Sequence, residues 1–354
     1  MMIKILYSVN GDGLGHTTRS IPIIQALSKR YNVKTIIGSK RSGEFIKKHI
    51  PNVTVFEGLR YSYHKNTVSL YNTINANAKT LFGKSSGFRK VFNTIRNFKP
   101  DIIITDCDYL TISVARLFNI PLICVCNIHA MSEMEYSVPK RYHNSYYTGK
   151  ILIKAFTHNI DYHVITTFFY LPVKKKNVFL YPPILRDEIM KMVPSREDYY
   201  LVYQTSGSES VSTNRRIINI LKSSKEKFIV YGFDKEEIDG NVIYKKTNND
   251  QFFKDLKDCR ACIANGGFTF ISEAVSLHKP VLSIPIKGTF EQTLNALQIK
   301  RLGYGDMCDV LNKNILFRFI KNNDKYYTNL KNFKREDNRR IIKKIEEIIR
   351  EVTS

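Results

Sequence analysis

The stretch from residue 261 to residue 297 constrains the fold more than any other part of the sequence. An apolar strand-like run is followed by the turn Asn265-Gly266-Gly267, a helical segment, a second apolar run at 280–285 and another helix start. This order predicts a parallel sheet whose strands lead into helices at one edge. The helix N-termini at that edge carry unpaired N–H groups and partial positive charge, which attract phosphate. Glu273 lies one helical turn beyond Thr269, so a hydroxyl and a deeper carboxylate suit the phosphate and ribose of a nucleotide.

The same alternation of apolar strands and amphipathic helices runs through both halves of the 354-residue chain. We predict strands near 3–9, 33–38, 53–56, 102–105, 121–125, 163–167, 199–204, 228–231, 242–244 and 261–264. We predict helices near 18–30, 42–49, 88–98, 110–118, 214–221, 251–256 and 338–352. Apolar strands separated by such helices indicate parallel sheets covered on both faces. The predicted fold class is therefore α/β, with one architecture used twice.

A proline-rich stretch from 171 to 199 separates the two halves. Paired prolines such as Pro182-Pro183 cannot continue a helix or a central strand, so the chain crosses over here. We predict an N-terminal domain at 1–183, a C-terminal domain at 184–336 and a final helix at 337–354. The isoleucine stripe of that helix is long enough to pack back toward the N-terminal domain.

The formal net charge of +23 raises the question of an acidic partner. The basic residues are spread along the chain without an arm, a zinc finger or an RNA-binding motif, which argues against nucleic acid. Compositional drift and an anionic membrane surface both remain open. The segment 88–99 combines an apolar stripe with four cations, so it could lie on such a membrane, or it could pack on its own sheet with its charges in water. No apolar run would span a bilayer, and the start is too short for a signal peptide. We therefore expect a cytoplasmic protein that is peripheral at the inner face of the membrane if this helix binds lipid.

The six cysteines fit a reducing compartment. Cys259-Arg260-Ala261-Cys262 has the CxxC spacing, but no second cysteine pair or nearby histidine accompanies it. We therefore expect no metal site there, and we expect reduced thiols that are mostly buried.

Two candidate catalytic side chains follow strands of the first half. The loop Asn10–His16 contains three glycines, which allow the backbone to approach a ligand closely. Imidazole accepts protons near neutral pH, so His16 is a candidate general base, although a solvent-facing histidine at a helix start fits equally well. Asp106 and Asp108 end another strand and could hold a divalent ion. We favour Asp106 as the partner of His16, because the carboxyl ends of parallel strands meet at one edge; helix capping is the alternative.

Taken together, these blocks resemble the two-domain glycosyltransferases of the GT-B fold. The most similar group contains the UDP-glucuronosyltransferases and the N-acetylglucosaminyltransferase that makes lipid II, and the chain resembles a microbial branch of it. The resemblance is carried by Gly15-His16-Thr17-Thr18-Arg19, Pro182-Pro183-Ile184-Leu185-Arg186, Ser272-Glu273-Ala274 and Glu291-Gln292-x-x-Asn295-Ala296. It implies an α/β protein of two Rossmann-like parallel-sheet domains that face each other across a cleft.

The resemblance implies that the second domain binds a nucleotide-sugar donor and the first domain binds the acceptor. The diphosphate would be held at the opening of the helix after Gly267 and by the turn containing Ser206 and Gly207, which from its residues alone is either a phosphate cradle or an N-capping turn. Glu273 would bind the ribose. The residues expected at the donor are Gly15, Arg186, Ser206, Gly207, Phe253, Gly266, Gly267, Phe268, Thr269, Glu273, Glu291, Gln292 and Asn295.

The resemblance also implies a mechanism. His16 would deprotonate an acceptor hydroxyl with Asp106 as its partner, and direct displacement would invert the anomeric centre. Neither a metal nor a cofactor is expected, because helix dipoles and N–H groups neutralise the leaving diphosphate. A UDP-sugar is the expected donor. The acceptor, which could be a lipid-linked or cell-surface glycan, and the oligomeric state are left open, and a UDP-N-acetylglucosamine 2-epimerase or a non-catalytic nucleotide-sugar binder are the alternatives.

Overall fold

The structure is a computed structural model that describes residues 2–11, 13–58, 63–64, 67–68, 75, 85–157, 159–203, 211–233, 235–246 and 248–353. The chain forms two compact units. Among the described residues, the first unit contains those up to Arg186 except Thr67, together with the C-terminal segment from Glu336. The second unit contains Asp187–Arg335 and Thr67.

The first unit is built on a seven-stranded parallel sheet. The described strands before residue 187 are β1 (Lys4–Val9), β2 (Asn32–Ile37), β3 (Thr54–Val55), β4 (Tyr63–His64), β5 (Thr67–Val68), β6 (Ile102–Asp106), β7 (Leu122–Cys126), β8 (Tyr162–Thr166) and β9 (Val178–Tyr181). The sheet order is β3-β2-β1-β6-β7-β8-β9, and β4 and β5 form a separate ribbon. The chain proceeds outward from β1 on one side and from β6 on the other. The carboxyl ends of these two strands therefore border the crevice where open α/β sheets bind ligands.

Helices cover both faces of this sheet. They are α1 (Leu14–Leu27), α2 (Lys40–Ile46), α3 (Ser86–Phe98), α4 (Tyr109–Ala115), α5 (Ala130–Glu133) and α6 (His143–Phe156), with 3₁₀ turns at Arg116–Phe118 and Lys140–Tyr142. Side chains at the residues before α2, α3 and α4 accept hydrogen bonds from backbone N–H groups in the first turns of these helices. Such caps satisfy N–H groups that have no partner within the helix.

The apolar stripe of α3 is used inside the first unit. Val91 and Ile95 are buried with residues of β1, β6 and α4, and Phe88, Phe92 and Phe98 pack against the same cluster. The opposite face of the sheet is covered by α1 and by the C-terminal helix, whose Ile341, Ile345, Ile348 and Ile349 are buried. Of the two interpretations of α3, the structure therefore shows the one in which its apolar face packs on its own sheet.

The second unit repeats the architecture. Its strands are β10 (Tyr200–Tyr203), β11 (Phe228–Tyr231), β12 (Glu237–Asp239), β13 (Val242–Tyr244), β14 (Ala261–Ala264), β15 (Val281–Ser283) and β16 (Gly305–Met307), in the order β12-β13-β11-β10-β14-β15-β16. All neighbours are parallel except β12 and β13. The order reverses between β10 and β14, so the loops that follow these two strands border the ligand-binding edge.

The helices of the second unit are α7 (Asp187–Lys191), α8 (Val211–Lys222), α9 (Asn249–Asp258), α10 (Phe268–Ser276), α11 (Phe290–Arg301), α12 (Lys313–Lys321) and α13 (Asn323–Leu330). The chain then returns to the first unit as α14 (Arg339–Thr353). Among the described residues, no helix is both long enough and apolar enough to cross a bilayer.

Ten of the described elements were not predicted from the sequence: β4, β5, β9, β12, β16, α5, α6, α7, α12 and α13. Most of them are short, and β16 shows why a short strand is hard to predict. Strand β16 is only Gly-Asp-Met, and a Cβ added at Gly305 would lie 1.9 Å from the carbonyl oxygen of Val281. Close approach to β15, rather than β propensity, therefore forms this strand.

Candidate functional site

Two positions of the loop after β1, Gly11 and Gly13, require glycine. A Cβ added at Gly11 would lie 2.3 Å from the Cβ of Ser39, and Gly13 has a φ of 88°. The first position therefore has no room for a side chain, and the second adopts a backbone conformation that favours glycine. Helix α1 begins directly after this loop and contains Gly15 and His16 in its first turn. Asp12 lies outside the described residues.

His16 lies in a buried ionic cluster with Arg19 and Asp106. Arg19 donates to both carboxylate oxygens of Asp106, from Nε to Oδ2 at 2.9 Å and from Nη2 to Oδ1 at 2.7 Å. The Nδ1 atom of His16 is 2.7 Å from Arg19 Nη2 and 3.3 Å from Asp106 Oδ2. Asp106 is fully buried, whereas the His16 side chain is 21% exposed. The structure thus brings the two predicted catalytic residues together, with an arginine that was not predicted as a site residue.

The contacts of His16 Nδ1 are compatible with two neutral tautomers of the imidazole ring. An arginine can only donate, so when Arg19 bonds to His16 Nδ1 the ring proton lies on Nε2. When Nδ1 carries the proton, its N–H group donates a hydrogen bond to Asp106. Nε2 then has the lone pair that a general base needs. The carboxylate of Asp106 stabilises the second state, and it would also stabilise a protonated imidazolium ring.

Two further buried polar residues, Tyr7 and Asp108, lie on β1 and directly before α4. Burial, together with the charge of Asp106, raises the pKa of Tyr7, so its hydroxyl stays protonated. Asp108 caps α4 and accepts hydrogen bonds from Ser8 Oγ at 2.7 Å and from Thr111 N at 3.3 Å. Burial raises the pKa of Asp108 against the opposing effect of these bonds. Asp108 therefore has the capping role, and the carboxylate of Asp106 is engaged by Arg19.

In the second unit, the turn after β14 is held by side chains of α11. Gln292 Oε1 accepts from the backbone N–H groups of Gly266 at 3.2 Å and Ile286 at 3.0 Å. Asn295 Nδ2 donates to the carbonyl oxygen of Gly266 at 2.9 Å. A Cβ added at Gly266 would lie 2.4 Å from the carbonyl oxygen of Gln292, whereas nothing lies within 4 Å of one added at Gly267. The turn is therefore closed on the α11 side and open at Gly267.

The helix after this turn carries the other predicted donor residues. Helix α10 starts at Phe268, with Gly267 at the preceding position. Phe268 and Glu273 are buried, and Thr269 is half-buried in the first turn. Glu291 lies in the first turn of α11. Two helix N-termini thus follow β14 and β15, at the edge where this sheet reverses its order.

The remaining predicted donor residues are Phe253, Arg186, Ser206 and Gly207. Phe253 is buried in α9 beside Phe252, whose ring contacts Tyr203 at 5.2 Å and Phe270 at 6.1 Å between centroids. Arg186 is the last residue of the first unit. Ser206 and Gly207 lie outside the described residues.

Comparison with known proteins assigns the family. A model described as Glycosyl transferase family 1 matches residues 3–323. The chain belongs to this glycosyltransferase family. It is 25% identical over 340 residues to an uncharacterized glycosyltransferase of Methanosarcina mazei, a match that covers 86% of this chain and 85% of the relative. A glycosyltransferase uses a sugar donor and an acceptor, and the family implies a nucleotide sugar as donor.

Solved structures place this family member in the GT-B fold. The glycosyltransferase of kitacinnamycin matches with a TM-score of 0.71 and 14% identity, over 97% of this chain and 98% of that one. A UDP-glucosyltransferase from Polygonum tinctorium matches with a TM-score of 0.69 and 11% identity, over 100% and 99% of the two chains. The expected α/β class with two parallel-sheet domains is confirmed.

Arg19 is the site residue that sequence reasoning missed. It stands in the Gly15–Arg19 motif, three residues after His16, and residues at this spacing share a helix face. That spacing could have suggested the contact with His16. The bidentate contact with Asp106 joins positions 87 residues apart, and it becomes visible only when β1 and β6 are neighbours.

Proposed function

We propose that this glycosyltransferase transfers a sugar from a UDP-sugar to a hydroxyl acceptor with inversion and without a catalytic metal ion. The cluster of His16, Arg19 and Asp106 carries this proposal. His16 removes the acceptor proton through Nε2 while Asp106 stabilises the resulting charge. Direct attack of the acceptor oxygen on the anomeric carbon then breaks the bond from that carbon to the diphosphate oxygen, so UDP leaves and the centre is inverted.

The second unit holds the donor in this proposal. The diphosphate binds the N–H groups at the start of α10, next to Gly267, and Glu273 accepts hydrogen bonds from the ribose. Glu291 binds the sugar. Gln292 and Asn295 hold the turn at Gly266 in shape, as their bonds to its backbone suggest. Metal-free transfer is supported by the aspartates of the first unit, since Asp106 is paired with Arg19 and Asp108 caps a helix.

We also propose an anionic acceptor, such as a lipid-linked phosphate at the cytoplasmic face of a membrane. A cavity of about 910 Å³ in the first unit lies beside Gly11, at the carboxyl ends of β1, β2 and β3. Its lining includes the cations Lys40, Arg41, Lys47 and Lys90, with Glu44 and Glu57 as the acids. Because the apolar stripe of α3 packs on the sheet, membrane attraction would depend on charge.

The test is release of nucleoside diphosphate from a panel of nucleotide sugars with candidate acceptors. We expect turnover with a UDP-sugar, and His16→Ala should lower kcat by roughly 10²–10⁴-fold with little change in the donor KM. His49→Ala, an exposed histidine of the same unit, is the control and should keep the activity of the parent. A folded His16→Ala variant as fast as the parent would contradict the proposal.

The acceptor proposal has its own measurement. Sedimentation with vesicles containing anionic phospholipid should retain the protein at low salt and release it at high salt, because screening weakens charge attraction. Replacing Lys40, Arg41 and Lys47 together by glutamine should reduce binding. Equal binding to neutral vesicles, or no binding at either salt concentration, would remove the lipid acceptor.

A further inference from the structure

A sulfur-rich cluster in the first unit contains none of the proposed catalytic residues. It consists of four buried residues, none more than 1% exposed, that we call the thiol cluster: Cys107, Cys124, Cys126 and His129. Each offers one ligand atom, and these four atoms all lie within 4.8 Å of one another. Cys107 directly follows β6, and the other two cysteines alternate along β7, so neighbouring strands bring the sulfurs together.

The spacing of the cluster fits a tetrahedral metal ion. The sulfurs of Cys124 and Cys126 are 3.6 Å apart, and Cys126 Sγ is 3.5 Å from His129 Nδ1. A tetrahedron with Zn–S bonds of about 2.3 Å and Zn–N bonds of about 2.0 Å has edges of roughly 3.5–3.8 Å. Three cysteines and one histidine form a known ligand set for structural zinc. We propose that the thiol cluster binds a structural zinc ion, with His129 as its nitrogen ligand.

The second ring nitrogen of His129 supports this role. His129 Nε2 is 3.1 Å from Thr157 Oγ1, and that hydroxyl donates to the carbonyl oxygen of Ile153 at 2.6 Å. Since the hydroxyl proton is used in this way, Thr157 accepts from Nε2–H, and Nδ1 carries the lone pair. A hydrogen bond of this kind on the far nitrogen orients histidines that bind metals. His163 Nδ1 lies 3.1 Å from the same Nδ1 and is the competing partner that zinc displaces.

The backbone at Cys107 is consistent with the same role. Cys107 has a φ of 53°, which is uncommon for a residue other than glycine. Asn10 Nδ2 donates to its carbonyl oxygen at 3.1 Å. A zinc–sulfur bond at Cys107 would hold the end of β6, and with it the adjacent Asp106. The ion is thus proposed as structural support next to the catalytic cluster, not as a participant in transfer.

The second unit contains a cysteine pair that can be compared with the thiol cluster. The sulfurs of Cys259 and Cys262 are also 3.6 Å apart. In the part of that unit which the structure describes, no third ligating side chain joins them. Lys279 Nζ instead donates to the carbonyl oxygen of Cys259 at 2.8 Å, so a cation already lies beside this pair. Thiols at the same spacing therefore serve as a matched control.

The experiment measures metal in tag-free protein purified from zinc-supplemented cells. We expect about one zinc per chain by mass spectrometry, as for a single four-ligand site. Cys126→Ser and His129→Ala should lose the zinc, Cys262→Ser should keep it, and His129→Cys should retain it as a four-cysteine site. Growth with cobalt in place of zinc should give the thiolate-to-cobalt absorption of a tetrahedral site in the parent and in Cys262→Ser.

Two results would show that the thiol cluster does not bind zinc. A folded parent that contains far less than one zinc and shows no cobalt absorption would overturn the proposal, and so would a Cys126→Ser variant that keeps its zinc. If Cys126→Ser does not fold, the His129→Ala and His129→Cys pair decides, since only a metal ligand is replaced functionally by cysteine. These readouts do not depend on transferase activity.

Discussion

Arg19 and Asp106 form an ion pair that is almost completely buried. Removing one member of such a pair leaves an uncompensated charge and typically costs about 3–5 kcal/mol. We expect Arg19→Ala to lower the free energy of unfolding by about that amount and to reduce transfer strongly, as measured by urea denaturation and donor turnover. Arg339→Ala is the control, because Arg339 is 89% exposed in its pair with Asp337 and exposed ion pairs contribute little to the free energy of unfolding. Equal losses for the two variants would contradict this account.

Gly266 and Gly267 are adjacent yet differ in the space around them. A Cβ at Gly266 meets the backbone of Gln292 at 2.4 Å, whereas nothing lies within 4 Å of one at Gly267. Overpacking of this kind costs about 1–3 kcal/mol. Gly266→Ala should therefore lower the unfolding temperature and weaken UDP binding in calorimetry. Gly267→Ala should leave the unfolding temperature near that of the parent, and a loss as large as that of Gly266→Ala would be evidence against the observed turn.

Asp306 gives a pH-dependent contribution to stability. Burial raises its pKa, but the ion pairs with Arg318 at 2.7 Å and Lys300 at 3.3 Å more than offset this, so its pKa is held below the ordinary value of 3.8. The stabilisation is therefore present above pH 3.8 and is lost as the pH falls through the lower folded-state pKa.

We expect Asp306→Asn to lower the unfolding temperature at neutral pH, and the difference from the parent to shrink between about pH 4 and pH 2. Calorimetry across this range measures the difference. Asp198→Asn is the control, because Asp198 is 84% exposed in its pair with Arg260. A difference for Asp306→Asn that stays constant down to pH 2 would contradict the ion-pair explanation.

At the scale of elements, α14 shows how an isoleucine stripe is used. Ile345 and Ile349 are fully buried against the sheet of the first unit, together with residues of α1. Truncating a buried isoleucine to alanine costs about 2–5 kcal/mol. We expect Ile345→Ala to reduce the free energy of unfolding of the first unit by that amount in urea. Lys343→Ala on the exposed face should change it by less than about 0.5 kcal/mol, and a smaller loss for Ile345→Ala than for Lys343→Ala would be incompatible with this packing.

The helices also show the limit of amphipathic patterns. The stripes of α3 and α14 were both visible in the sequence, and a helix was predicted at each place. For α3 the pattern could not distinguish a sheet from a lipid surface, because both offer an apolar environment. The burial of Val91 and Ile95 with the sheet decides between them.

For the whole molecule, the two units should respond differently to donor nucleotide. If the diphosphate binds at α10, UDP should protect the amides of 265–271 and 286–293 in hydrogen exchange, because ligand binding suppresses local opening. The strands β1 and β2 should be protected less. Protection confined to the first unit would mean that UDP binds there and not in the second unit. Equal protection by other nucleoside diphosphates would mean that the donor site does not select UDP.

The sequence by itself determined the α/β class, the two-unit repetition and the positions of the glycine turns, because strand and helix periodicity and turn chemistry are local properties. It also singled out His16 and Asp106. Only the tertiary structure decided that Arg19 contacts both of them and that Cys107, directly after β6, meets the cysteines of β7 near His129. These contacts depend on which strands become neighbours, and pairing between residues far apart in the chain leaves no periodic signal in the sequence.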